Sequence, residues 1–323
     1  MRRRVLVTGA AGFIGSHLTD QLLSQDLDVA GLDNFSSGSR TNLVKAVENP
    51  RFRLVEGDLS NSDMARKALA DCNLIFHMAA DPEVQIGSEN PLTHFQQNLV
   101  TTFNLLEAIR VRKIPTKLVF ASTSTVYGEP SLIPTPENYA PLLPISTYGA
   151  TKLGCEALLA SYSQLLPLQV VIFRFANVVG RRTKHGVLYD FIRKLQKNPA
   201  ELEVLGDGTQ TKSYLHIDDC VDAFLKVLDN TFWNKDVDIY NIGTEDKTNV
   251  LEIARIIMEA MGLGKVAVRT VPGPGGRGWV GDVKTMQLDI SKVKKLGWKP
   301  RMSSDEAVRV AAQQLVQELS AWT

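Results

Sequence analysis

Through the first half of the chain, short apolar runs alternate with longer stretches of helical periodicity. Val5-Leu6-Val7, Val29-Ala30-Gly31-Leu32, Arg53-Leu54-Val55, Leu74-Ile75-Phe76, Lys117-Leu118-Val119-Phe120 and Val170-Val171-Ile172-Phe173 read as buried strands of a parallel sheet. Between them, residues 17–24, 62–70, 92–112 and 148–165 carry helical patterns. Strand alternating with helix predicts a doubly wound α/β fold. After about Val179 the rhythm changes to isolated elements separated by Gly- and Pro-rich loops, such as Gly206-Asp207-Gly208 and Pro272-Gly273-Pro274-Gly275-Gly276. The expected division is therefore residues 1–179 as the main domain and 180–323 as a smaller C-terminal α/β lobe, with possible chain crossovers between them. Loops on such a lobe are where specificity usually sits.

Length and composition narrow the classes. A chain of 323 residues buries a large core, and 36 Lys plus Arg against 35 Asp plus Glu leave a net charge of +1. That balance gives no electrostatic reason to expect nucleic acid or an anionic membrane as partner. Cys72, Cys155 and Cys220 are odd in number, widely spaced and lack a C-x-x-C pairing, so free thiols in a reducing, cytoplasmic setting are expected, with no metal site. The basic start Met1-Arg2-Arg3-Arg4 is followed by an apolar run too short for a signal peptide.

The first chemical signal is Thr8-Gly9-Ala10-Ala11-Gly12-Phe13-Ile14-Gly15, directly after the first strand. Gly9 permits a tight turn, Gly12 lets backbone approach a pyrophosphate, and Gly15 lets the helix pack closely on the strand. The helix N-terminus then offers free N–H groups to phosphate. Asp33 ends the second strand, 18 residues after Gly15, where a carboxylate accepts hydrogen bonds from both adenosine ribose hydroxyls and repels a 2′-phosphate. NAD is thus favoured over NADP, with Arg40 the nearby residue that counts against it. Asp58-Leu59 is placed to meet the adenine edge, and His77-Met78-Ala79-Ala80 after the fourth strand is small enough for a cofactor to lie across the strand ends.

The second signal is Tyr148-Gly149-Ala150-Thr151-Lys152, with Ala121-Ser122-Thr123-Ser124 some 25 residues earlier at a strand end. Four positions along a helix put Tyr148 and Lys152 on one face. A neighbouring ammonium, helped by a positive nicotinamide, is expected to lower the tyrosine pKa toward a usable phenolate base, while Thr123 holds the same substrate oxygen. These are parts for taking a proton from an alcohol while hydride leaves its carbon.

Together these motifs resemble the extended short-chain dehydrogenase/reductase family, in its NAD-dependent epimerase/dehydratase group and the UDP-glucose 4-epimerase branch. The similarity continues through Asp33-Asn34-Phe35-Ser36-Ser37-Gly38, Arg174-Phe175-Ala176-Asn177, Tyr214-Leu215-His216 and Gly281-Asp282-Val283. It implies a Rossmann sheet and a cofactor site of Gly9, Gly12, Phe13, Ile14, Gly15, Asp33, Asn34, Ser37, Gly38, Asp58, Leu59, Met78, Ala79, Ala80, Asn98, Ser122, Tyr148 and Lys152. By the same resemblance Tyr148, Lys152 and Thr123 are catalytic. Oxidation at C4 gives a 4-keto sugar, which turns over about its diphosphate link and is reduced on its other face. Relatives that dehydrate or decarboxylate carry acidic residues beside the catalytic Thr, where this chain has Ser124 and Thr125, so 4-epimerisation is the implied chemistry.

The resemblance implies a UDP-sugar held through Glu83, Val84, Thr123, Ser124, Tyr148, Asn177, Val187, Phe191, Lys212, Tyr214, Arg277, Asp282 and Met286. Glu83 either lines the sugar pocket or faces water. The loop 186–191 approaches uracil, Asn177 the diphosphate, Asp282 the uridine ribose, and Met286 disfavours a 2-acetamido group. Lys212 replaces an Arg more frequent in relatives, and Arg277 lies five residues before Asp282 where relatives often have three, which puts both phosphate contacts in question. UDP-glucose and UDP-galactose, hence galactose metabolism, are the expected substrates and pathway. Epimerisation of UDP-glucuronate, served by Arg181, Arg182 and Lys184, or of UDP-N-acetylglucosamine, and reduction of a nucleotide keto-sugar, stay open. Residues 92–112 and 148–165 are expected to pair across a four-helix homodimer interface.

Overall fold

The structure is a computed structural model and describes residues 4–320 except 227 and 229–231; Met1, Arg2 and Arg3 of the basic start lie outside them. Six strands, β1 (Arg4–Thr8), β2 (Asp28–Asp33), β3 (Phe52–Glu56), β4 (Leu74–His77), β5 (Thr116–Thr123) and β6 (Leu168–Phe175), join the strand Val237–Ile242 in one seven-stranded sheet. Its order is Val237–Ile242, β6, β5, β4, β1, β2, β3. From β1 the chain runs outward to β2 and β3, then returns to the far side of β1 at β4. Both neighbours of β1 pair with it in parallel, and Thr8 stands level with Leu32 on one side and His77 on the other. Ligands of open α/β sheets bind outside the strand carboxyl ends at such a reversal.

Val5, Leu6 and Val7 are wholly buried, as a central strand covered on both faces requires, whereas only Val55 of edge strand β3 is buried. The apolar cluster around Leu6, Ile75, Leu105, Leu118, Leu159 and Ile172 joins this sheet to the helices Ser62–Leu69, Thr101–Arg112 and Thr147–Leu165.

Two helices depart from the sequence expectation. The first begins at Phe13, not residue 17, so Gly15 is already inside it. The expected helix over 92–112 is Pro91–His94, a wider π-helical stretch Phe95–Val100, and then Thr101–Arg112. The hydroxyls of Thr101 and Thr102 donate back to the carbonyls of Gln97 and Asn98 at 2.8 and 2.7 Å, competing with the regular ladder where the turn widens.

The chain divides into two compact units. The first comprises residues 1–126, 147–174 and 221–240; the second comprises 127–146, 175–220 and 241–323, so segments are exchanged on both sides of the expected boundary at 179. The second unit has its own apolar core around Leu188, Ile192, Val204, Ile253, Ile257, Val308 and Leu315. Its strands form small sheets, including Glu201–Leu205 with Ala267–Val271 and Asn177–Val179 with Tyr214–His216, both parallel. Among the described residues no helix is long and apolar enough to cross a membrane.

Candidate functional site

In the first unit, the turn after β1 is set by glycine geometry. Gly9 has φ +67°, in the left-handed region, and a Cβ there would stand 2.9 Å from Ala79 Cα. A Cβ on Gly15 would lie 2.0 Å from the Gly9 carbonyl oxygen. Gly12 precedes the helix Phe13–Ser24, whose first residues Phe13 and Ile14 are half-buried. No side chain caps this N-terminus, so its first-turn N–H groups suit a phosphate.

Asp33 is buried at the end of β2, where its Oδ2 accepts the Ala11 N–H at 2.8 Å and its Oδ1 the Phe35 N–H at 2.7 Å. Burial raises its pKa, and the two backbone donors offset part of that rise. Each oxygen keeps a lone pair for a ribose hydroxyl. Arg40, the cation that left NADP open, is turned away: its guanidinium makes a two-pronged bond to Glu56 at 2.7 and 2.6 Å and lies 4.2 Å over the Phe35 ring. Gly38 lies against Ala11 of the glycine turn, with the Ser39 N–H donating to the Ala11 carbonyl, while Ser37 is exposed.

Burial pulls Asp58 up, but donors from Ser60, Asn34 and Gln97 outweigh it and hold the carboxyl low. Leu59 is a core residue, leaving only its backbone for an adenine. The Ser122 hydroxyl donates to buried Glu156, which also binds the Arg174 guanidinium at 2.6 Å, so its proton is not offered to a cofactor. Asn98 is buried, with its Oδ1 accepting the Asp81 N–H at 2.8 Å and its Nδ2 donating to Thr151 at 3.2 Å. It fixes the segment after β4 more than it displays its own amide.

Tyr148 is the second residue of the helix Thr147–Leu165, and Lys152 follows one turn later. Lys152 is buried; its ammonium donates to the Ala121 carbonyl at 2.8 Å and lies 4.7 Å from the Phe120 ring centre and 6.0 Å from that of Tyr148. Burial lowers its pKa to about 8, against the raising influence of Cys155 and Glu156. For Tyr148, desolvation first, then the charges of Asp81 and Cys155, push the phenol above its ordinary value, so the Lys152 ammonium does not by itself produce the lowering expected from the sequence. An ammonium tied to a carbonyl does not offset that desolvation, so a lowered pKa has to come from the positive nicotinamide. The Tyr148 ring remains only half-buried, open to a substrate.

Thr123 ends β5; its Oγ1 accepts the Thr125 N–H at 3.1 Å and is 3.1 Å from Thr125 Oγ1, so its hydroxyl proton is available to a substrate when Thr125 is the donor of that pair. Ser124 is buried beside it. Glu83 is exposed, with its N–H bound to Asp81 Oδ1 at 2.9 Å, and Val84 is half-buried. Two neighbours of Tyr148 escaped the sequence reading. One is Asp81. The other is His94, edge-on to the Tyr148 ring at 5.6 Å, which bridges Thr147 Oγ1 and the Glu83 carbonyl at 2.8 and 3.0 Å. A single His in a helical pattern gives no signal of such a contact. Among the described residues no group of His, Cys, Asp and Glu is arranged to hold a metal.

In the second unit, Asn177 is half-buried and its Nδ2 donates to the Ser213 carbonyl at 3.2 Å. Residues 187–191 are the first turns of the helix Val187–Lys197, not a loop; Gly186 caps it with φ +86°, and Val187 is half-buried. Phe191 and Tyr214 sit in the apolar core of this unit, buried by packing rather than displayed, with the Tyr214 phenol pushed up by that burial and by Asp282. Lys212 and Asp282, expected on different parts of a nucleotide, bond to each other at 2.6 Å; the ammonium is 5.8 Å from the Trp279 ring centre. Arg277 pairs with Glu129 and buries an unpartnered Nε. Met286 is buried beside Lys212 in a short parallel strand pair.

The first unit is that of a dinucleotide-dependent enzyme working on an alcohol carbon. Residues 5–243 match the NAD dependent epimerase/dehydratase family, and the chain belongs to that family, of extended short-chain dehydrogenase type, with NAD as its cofactor. A putative UDP-glucose 4-epimerase of Methanocaldococcus jannaschii is 36% identical over 94% of this chain and 96% of its own. A solved UDP-galactose 4-epimerase is 42% identical, with a TM-score of 0.87 over 98% of this chain and 99% of its own. A UDP-glucuronic acid 4-epimerase of Bacillus cereus, solved with UDP-glucuronic acid and NAD, is 30% identical, with a TM-score of 0.87 over the same shares. The chain is a UDP-glucose 4-epimerase-like isomerase.

Proposed function

We propose that the protein interconverts UDP-glucose and UDP-galactose by inverting C4 through a transient 4-keto sugar. The observation that carries this reading is the Tyr148, Lys152 and Thr123 set at one sheet end, with no carboxylate at 124 or 125 to drive elimination. NAD held at the glycine turn after β1 and by Asp33 would supply the hydride acceptor and donor for C4. Tyr148 accepts the 4-hydroxyl proton, Thr123 donates to the same oxygen, and buried Lys152 supplies positive charge beside the phenol. Without an acid and base at C5 and C6, the keto sugar is left with one exit, reduction from either face.

In the second unit, Asp282 is proposed to take ribose hydroxyls, while Lys212, Arg277 and Asn177 serve the diphosphate after exchanging their present partners. Kinship with UDP-galactose and UDP-glucose 4-epimerases supports a plain hexose. The Bacillus cereus neighbour and the cations Arg181, Arg182 and Lys184 favour UDP-glucuronate as the second reading. Exposed Leu92, Phe95, Phe103 and Leu165 support a homodimer built on these helices.

The test is proton NMR of separate reactions of the purified protein with UDP-galactose, UDP-glucuronate or UDP-N-acetylgalactosamine, with no cofactor added. Conversion of UDP-galactose to UDP-glucose is expected. Preference for another sugar overturns the substrate, and no conversion even after adding NAD overturns the epimerase reading.

A further inference from the structure

His77 takes no part in the chemistry above, yet its ring is fully buried at the end of β4 with both nitrogens engaged: Nδ1 is 2.8 Å from Thr8 Oγ1 and Nε2 is 3.0 Å from Thr102 Oγ1. The neighbours fix the direction of these bonds. Thr8 Oγ1 accepts the Ala79 N–H at 3.1 Å and shares the Met78 N–H with the Thr8 backbone carbonyl, each at 3.2 Å; with two N–H groups directed at this oxygen, its own proton is assigned to His77 Nδ1. The ring proton is therefore on Nε2 and is donated to Thr102, whose hydroxyl passes on to the Asn98 carbonyl at 2.7 Å. Burial, then the charge of Lys152, pulls the imidazole pKa down to about 3, so this direction holds at any working pH.

The relay holds one segment. Met78 and Ala79 are tied to Thr8, while Asp81 is tied to the Asn98 side chain at 2.8 Å. Between those ties the chain lies against the glycine turn, so close that only glycine fits at position 9.

We propose that His77 is a positioning residue for the cofactor: its neutral Nε2–H imidazole orients the Thr8 hydroxyl, which holds Met78-Ala79-Ala80 against the glycine turn in the shape that grips NAD. This rests on NAD as cofactor and on residues 78–80 as part of its site, not on which sugar is turned over.

The test uses protein purified without added NAD, measuring dinucleotide released per chain and its rate of loss on dilution. His77→Phe keeps the bulk and removes the relay; His77→Asn keeps an acceptor toward Thr8. His77→Phe is expected to hold NAD about 10-fold more weakly, the net worth of roughly one hydrogen bond, and His77→Asn to recover most of that. Wild-type retention in His77→Phe, or equal loss in both variants, overturns the proposal. Nitrogen-15 NMR of the unaltered holoprotein supplies a readout that needs no variant to fold: an Nε2–H tautomer is expected, and an Nδ1–H tautomer overturns the relay. Tight NAD with the expected tautomer but no turnover of UDP-hexoses would sink the sugar assignment and leave this one standing.

Discussion

Gly15→Ala tests the cofactor turn by the smallest change possible. The added Cβ would sit 2.0 Å from the Gly9 carbonyl oxygen and 2.8 Å from its carbon, where ordinary contact begins at 3.4 Å. The obstacle is backbone, so no rotamer relieves it, and the helix Phe13–Ser24 has to draw back by about 1.4 Å from the turn that precedes it. Overpacking of this kind costs about 3 kcal/mol. Borne by the folded state of a chain this long, that lowers the melting temperature by roughly 4 °C. Borne by the NAD-bound conformation alone, it weakens NAD about 100-fold. The assay pairs dinucleotide content after purification with thermal unfolding, using Gly264→Ala as control because nothing lies within 4 Å of a Cβ there. Gly264→Ala is expected to stay within about 0.5 kcal/mol of the parent. If Gly15→Ala keeps both NAD content and melting temperature, the close helix-to-turn packing is not what shapes the site.

Three further outcomes are expected. Asp33→Asn combined with Glu56→Gln removes the ribose carboxylate and releases Arg40, so NADP should bind about 10-fold better relative to NAD in the double variant than in either single one, read by competition binding. As pH rises through about 8, Lys152 loses its proton in the folded protein but not, until near 10.5, in the unfolded chain. The unfolded chain binds more protons in that window, so the Lys152 contribution to stability rises while the charge beside Tyr148 is lost. Turnover should therefore fall above pH 8, with this limb missing in Lys152→Met, and a rate still climbing at pH 10 would refute the assignment. Arg174→Met strands buried Glu156 and should cost about 3–5 kcal/mol in urea unfolding, with Glu156→Met in the same chain recovering part; a loss below 1 kcal/mol would contradict the pair's burial.

The local chemistry of this protein was legible in its sequence because it depends on short-range backbone geometry. Unbroken apolar runs dictated buried parallel strands, and the glycine spacing dictated a turn in which positions 9 and 15 have no room for a side chain. The four-residue step from Tyr148 to Lys152 placed both on one helical face once the helix formed. What the tertiary structure alone decided is where side chains point and with whom they pair. Arg40 turns to Glu56, Ser122 to Glu156 and Lys212 to Asp282, each choice made by a residue distant in sequence that no local pattern encodes. Phe191 and Tyr214 lie in a core because helix and strand register, rather than residue type, set which way they face. His77 and His94 carry no periodic signal, and they acquire partners only where strand ends and helices meet.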